Sequence, residues 1–372
     1  MRYHAAKGHP ATGRRRALPG WFIRDLAIVG ALALLLFVTL SEMLSFLSVR
    51  EIGDRRVVQI PQGAGVLEIS SILKAAGLVS DPLKFSLAAR ALGVADRLQA
   101  GAYEFGPQFS ELEVLMSLRY GDVAVRTVTV PEGYRARQIA GLLEDALDAD
   151  ADEVMTLVRD PLFVAELGVP GPTLEGFLYP DSYRFNLGTS ARDALRRMVG
   201  RTWEVYDERL SARAESLGMS TLEVFTLASI VEAEAAVNSE RRRVSAVYHN
   251  RLRKGMRLEA DPTVRYGTGK YNVRLYYSDL EADSPYNTYR RDGLPPGPIC
   301  SPGEASIRAA LHPLKGCNDL FFVSNGDGTH TFSRTYAEHQ AARLRAAARR
   351  DAAETEEGQA AGQFPLDTPD DE

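Results

Sequence analysis

Apolar and polar positions change rhythm several times along this 372-residue chain. Residues 21–49 read WFIRDLAIVGALALLLFVTLSEMLSFLSV, with an uncharged core at 26–40 and Arg24, Asp25 and Glu42 at its margins. A helix needs about 20 residues to cross the hydrocarbon of a bilayer, so apolar turns on both sides must extend that core. The run ends in SEMLSFLSVR without a small-x-small cleavage site, and the basic stretch before it is long, which favours an uncleaved anchor over a signal peptide. Beyond it the rhythm shortens to alternation at 57–60 and 127–130, each followed by P-x-G and then by helical apolar spacing. The two copies, VVQIPQGAGVLEISSILKAAGLV and TVTVPEGYRARQIAGLLEDAL, correspond at a constant offset of 70, with Pro61 matching Pro131 and Gly63 matching Gly133. Two strand, turn and helix units are too few for a solenoid.

After the first copy, DPLKFSLAARAL from Asp81 predicts a second helix and AGAYEF a second short strand. This order resembles a LysM-like module, a class that binds N-acetylated glycans; a small α+β spacer fits the same pattern. Further along, Ser220 and Glu223 have capping-box spacing, and residues 222–231 are apolar on nearly every side, the pattern of a helix enclosed by other elements. Two acids, Glu232 and Glu234, then end the segment LASIVEAEAAV. Two residues on a helix subtend about 200°, so the two carboxylates face different places and one at most does chemistry. A helix C-terminus carries partial negative charge, and partial burial acts in the same sense; both raise a carboxyl pKa toward the value a general acid needs. On position alone, an exposed acid or a partner for one of the three arginines at 241–243 would explain these residues equally well.

Composition sets the frame. With 45% hydrophobic and 25% charged residues the chain is globular, with room for two or three folded units. The net charge of −5 hides an asymmetry: residues 1–20 hold five Lys or Arg and no acid, and residues 351–372 hold eight acids and no base. The basic start places the N-terminus in the cytoplasm by the positive-inside rule and the remainder outside, while the acidic end is expected to be disordered. Cys300 and Cys317 are either unpaired or form one bridge. The six histidines lack metal-ligand spacing, so no metal or cofactor is expected.

Several longer motifs follow one another in order: PEG at 131–133, EGFLYPDSYRF from Glu175, the V-E-A-E segment, DPT at 261–263, SPYNTYRRDGLPPGPICSPG from Ser284, HPL from His312 and FVSNGDGTHTF from Phe322. Together they resemble the MltG (YceG-like) family of endolytic murein transglycosylases, over roughly residues 57–345. The resemblance implies an α+β fold: a cytoplasmic tail (1–20), a transmembrane helix (21–49), the LysM-like module (50–125), a larger catalytic domain (126–350) and the acidic tail (351–372). It implies a periplasmic or extracytoplasmic enzyme on the inner (cytoplasmic) membrane that cuts the MurNAc-GlcNAc bond within nascent glycan strands. Such an enzyme leaves 1,6-anhydro-MurNAc ends, limits strand length and works beside peptidoglycan synthases.

The family's second Glu, its general acid and base, falls on Glu234, with Glu232 as the fallback. The residue after it is usually Thr in the family and is Ala235 here. Asp261, Thr263, Tyr266, Tyr286, Asn287, Thr288, Tyr289 and Pro295 are the expected substrate-binding set, with Asp261 and Thr263 also suited to supporting the acid's helix. Glu259 is a weaker candidate, and His330 suits a structural role. A muramidase that uses water on the same scaffold, or a glycan-binding scaffold without catalysis, are the competing readings.

Overall fold

The computed structural model of the chain describes residues 20–51, 53–147 and 149–361, without the side chains of 20–23 and 350–361. The expected basic tail (apart from Gly20) and the last part of the acidic tail lie outside the described residues. The described fold mixes helices with short antiparallel strand pairs, which makes it α+β. It opens with the helix Gly20–Leu47. Within it, the 24-residue stretch Arg24–Leu47 contains an 18-residue window with a mean hydropathy of 2.2 and no buried residue. At 1.5 Å per residue that stretch is about 36 Å long, enough to cross a bilayer.

The chain forms two compact units, divided between Ala124 and Val125. In the first, strand Arg56–Ile60 pairs antiparallel with Gly101–Phe105, and helices Val66–Ala75 and Pro82–Ala91 lie between them in sequence. The alternation works as the pleat requires: Val58 and Ile60 point inward onto Leu73, Phe85 and Tyr103, while Val57 and Gln59 face out. Asp81 starts the second helix by accepting from the amide of Leu83 at 2.8 Å, with Pro82 preset for the first turn.

The second copy of the repeat founds the second unit in the same way. Strand Val125–Thr129 pairs antiparallel with Ser182–Asn186, and helix Ala136–Leu147 follows the turn. Gly63 and Gly133 take φ of 80° and 76° in the two turns, conformations open to glycine and strained for other residues. At the centre runs helix Thr221–Glu234, which has the expected capping box: Ser220 Oγ accepts from the amide of Glu223, and the Glu223 carboxylate from the amide of Ser220. Every residue from Val224 to Val231 is buried. Phe225 packs its ring 4.7 Å from Phe177 and 5.3 Å from Tyr206. Helices Arg241–Arg253, Asp261–Thr268 and Glu304–Leu311 close around the same helix.

The proline-rich loop after Leu294 is tied to that helix and to the P-E-G turn together. The amide of Ile299 donates to Ser229 Oγ at 3.0 Å, the amide of Ser301 to the carbonyl of Tyr134 at 2.8 Å, and the amide of Gly133 to the carbonyl of Ser301 at 2.9 Å. Cys300 is buried here with its thiol directed at the Ser229 carbonyl; it and Cys317 are both free thiols, so the bridge left open by the sequence does not form. The last helix, Tyr336–Ala361, continues past Asp351. Composition alone suggests disorder there, but the residues to 361 are mainly Ala, Glu and Gln, which lose little on entering a helix.

Gly176 tests the tightness of this arrangement. Its φ is 82°, and a Cβ there would overlap the ring of Pro298. Gly269 has a similar φ of 71° with open space around it. Gly176→Ala should therefore cost roughly 2–4 kcal/mol, strain plus overlap, against about 1 kcal/mol for Gly269→Ala. Urea unfolding of the two variants side by side checks the difference; equal losses would mean that the Pro298 contact is slack.

Candidate active site

The central helix ends at Glu234 because Ala235 turns to extended backbone at φ −91° and ψ 97°, its amide still closing onto the Val231 carbonyl. The Glu234 side chain emerges into a cavity of about 420 Å³. Its walls come from the P-E-G turn and the helix behind it (Gly133, Arg135, Gln138), from the helix at Asp261 (Asp261, Arg265, Tyr266) and from Ile299 and Cys300 of the proline-rich loop. The hydroxyl of Tyr248 donates to Glu234 Oε1 at 3.0 Å. Burial pushes the Glu234 carboxyl up to about 7, and the negative charge of Asp261 adds to this; the Tyr248 hydrogen bond and the Arg265 charge oppose it. The group thus exchanges its proton near neutrality, as a carboxylic acid that must both give and take one requires. A larger hollow of about 830 Å³ beside Trp203 and Tyr206 is lined by neither Glu232 nor Glu234.

Glu232 faces elsewhere, as the helical rotation demands. Its Oε1 accepts from Arg241 at 2.9 Å and its Oε2 from the amide of Gly303 at 2.9 Å. It does not line the Glu234 cavity, and its two oxygens anchor the loop.

Of the expected binding residues, Asp261 and Tyr266 line the cavity. Tyr289 donates from its hydroxyl to Asp261 Oδ1 at 2.7 Å and so fixes that carboxylate. Tyr286 packs against Tyr266 with ring centroids 4.7 Å apart. The others are buried away from the cavity. Thr263 and Thr288 share a hydroxyl hydrogen bond of 2.8 Å, and Thr288 Oγ1 also accepts from the amide of Ala260. Asn287 donates to the carbonyls of Leu280 and Ala282 and accepts from the amide of Tyr289. Pro295 is buried in the loop. Thr263, Asn287 and Thr288 have these polar groups bonded inside the protein, where they tie the helix at Asp261 to the loop that carries Tyr289. Glu259 adopts φ 49°, and its carboxylate accepts from Arg251 at 2.9 Å. His330 pairs with Glu240 at 2.8 Å, which agrees with a structural role.

The sequence reading missed Tyr248, the direct partner of Glu234, because 14 residues of loop and helix separate the two. It also missed Glu175, although EGFLYPDSYRF was noticed. That buried carboxyl accepts from the amide of Ala136 at 2.9 Å and from the Tyr266 hydroxyl at 3.3 Å, and burial pushes it up to about 7.

Comparison with known proteins identifies relatives over most of the chain. A family profile described as YceG-like matches residues 58–345. An endolytic murein transglycosylase of Bacillus subtilis is 34% identical over 302 residues, covering 77% of this chain and 83% of that protein. A protein of the same name from Streptococcus pneumoniae is 30% identical over 318 residues, covering 76% of this chain and 56% of its own greater length. The crystal structure of a YceG-like protein from Listeria monocytogenes has a TM-score of 0.55 and 34% identity, covering 77% of this chain and 98% of that one. With a match across most of its length and relatives of this similarity, the chain belongs to the YceG-like family.

Proposed function

We propose that this protein is an endolytic murein transglycosylase, with Glu234 as its single general acid and base. The observation that carries the reading is the Glu234 carboxyl at the end of an enclosed helix, bonded by the Tyr248 hydroxyl and facing a cavity with one further acid, Asp261, where burial pushes it up to about 7. Protonated Glu234 donates to the oxygen between N-acetylmuramic acid and N-acetylglucosamine, and the leaving sugar departs with that proton. The N-acetyl oxygen of the muramic acid stabilises the positive charge at C1. Glu234, now a carboxylate, takes the proton of the C6 hydroxyl, whose oxygen bonds to C1. A 1,6-anhydro end results, water is not consumed, and the acid is restored. Tyr248 holds the carboxylate through the charged half of the cycle, and Tyr289 holds Asp261. The family's usual Thr after the acid is Ala235, and this position is buried in the core; the Tyr248 hydroxyl is the bond that remains.

The same reading assigns the apolar N-terminal helix to a single-pass anchor in the cytoplasmic membrane, basic end inside, so that the second unit works on nascent strands outside, alongside peptidoglycan synthases. The strand, helix, helix, strand unit serves as a LysM-like module on those strands.

Glu234→Gln should lower glycan cleavage by about 10²–10⁴-fold, the usual worth of a general acid. Glu232→Gln should retain anhydro products while losing roughly 3 kcal/mol in urea unfolding, because Arg241 is left without its buried partner. Mass spectrometry of the products decides: reducing ends in place of anhydro ends would mean a hydrolase, and loss of cleavage with Glu232→Gln alone in a folded protein would move the acid.

The pH profile follows from the direction of the Glu234 shift. Cleavage needs the protonated carboxyl, so kcat/KM should be level below about pH 7 and fall tenfold per pH unit above it. Tyr248→Phe removes a donor that favours the ionised form, so the alkaline limb should move to higher pH. A limb that stays in place, or moves down, would show that Tyr248 does not bond the acid.

A further inference from the structure

A second cavity of about 400 Å³ shares Arg135, Gln138, Tyr266 and Tyr271 with the Glu234 cavity and extends from them to Met155, Val158 and Arg159. Its charges are not balanced internally. Arg137 is paired with Asp152 at 2.5 Å. The guanidinium carbon of Arg135 lies over the Tyr271 ring, 3.1 Å from its centroid, and Arg159 stands exposed at the end of helix Ala151–Arg159. Among the described residues, neither Arg135 nor Arg159 has a carboxylate at ion-pair distance. The acid in the wall, Glu175, has one oxygen on the Ala136 amide and the other on the Tyr266 hydroxyl, and it takes up a proton near neutrality, which weakens its competition for the arginines. Met155 and Val158, on the same helix as Arg159, give the cavity an apolar lining.

The sugars of a murein strand are uncharged; its carboxylates sit on the peptide arm of each muramic acid, interleaved with alanine methyl groups. We infer that this second cavity is the subsite for that peptide arm, with Arg135 and Arg159 binding its carboxylates and Met155 and Val158 its methyl groups. The inference rests on the glycan-cleavage reading above, and it makes the enzyme selective for strands that still bear peptides.

The test uses the full chain in detergent with two substrates: un-cross-linked strands with intact peptide arms, and the same strands after an amidase has removed the arms. Arg159 is the position to vary because it is exposed and lines the second cavity without lining that of Glu234. The wild type should show kcat/KM about tenfold or more higher on peptide-bearing strands, the worth of one good charge-assisted contact. Arg159→Glu should lose most of that preference while cutting bare strands at the wild-type rate, and Arg159→Lys should keep most of it. Equal wild-type rates on both substrates would overturn the subsite. So would an equal loss on both with Arg159→Glu, which would assign the contact to the glycan or to the lactyl carboxylate exposed by the amidase. Failure of the wild type to cut either substrate would overturn the cleavage reading and this inference with it.

Discussion

The site depends on one constraint: helix Thr221–Glu234 is wrapped in apolar contacts along its whole middle and released only at its last turn. A helix buried on all sides cannot rotate or slide without opening voids, each costing stability in proportion to its volume. The direction in which Glu234 leaves it is therefore set by Val224, Phe225, Leu227, Ile230 and Val231, none of which lines the cavity. The same enclosure removes water from one side of the carboxyl and raises its pKa. Packing and acidity thus have a single cause.

Around that rigid axis, polar groups on neighbouring elements are fixed by hydrogen bonds inside the protein. Ser229 holds the proline-rich loop, and Glu232 holds the same loop four residues further on, at Gly303. Thr263 and Thr288 lock the helix that carries Asp261 to the loop that carries Tyr289. Buried hydroxyls and amides that find partners add specificity as well as stability, because any shift leaves one of them unsatisfied. Two acids two residues apart thereby take opposite parts: Glu232 is bound into the scaffold, and Glu234 is left beside the cavity with a single hydroxyl donor.

Glu175 shows a second use of burial. It lines the second cavity and links the helix at Ala136 to Tyr266, which lines both cavities. A carboxyl group in that position couples the placement of Arg135, at the start of one wall, to that of the tyrosine on the other.

Much of this could be read directly from the chain. Local periodicity and turn chemistry marked the apolar first helix, both strand and helix repeats with their glycine turns, the capping box at Ser220 and the two acids facing apart, because each depends on residues within a few positions of one another. The ordered series of motifs pointed to the family. What only the tertiary structure decided is which polar residues face the cavity. Asn287, Thr288 and Thr263 look like sugar ligands in sequence and are inside the protein; Tyr248, Arg135 and Glu175 look ordinary and surround the site. The physical reason is that a side chain's chemistry is local but its hydrogen-bond partner and its exposure are set by distant segments, as with Tyr289 on Asp261 across 28 positions and Tyr266 on Glu175 across 91.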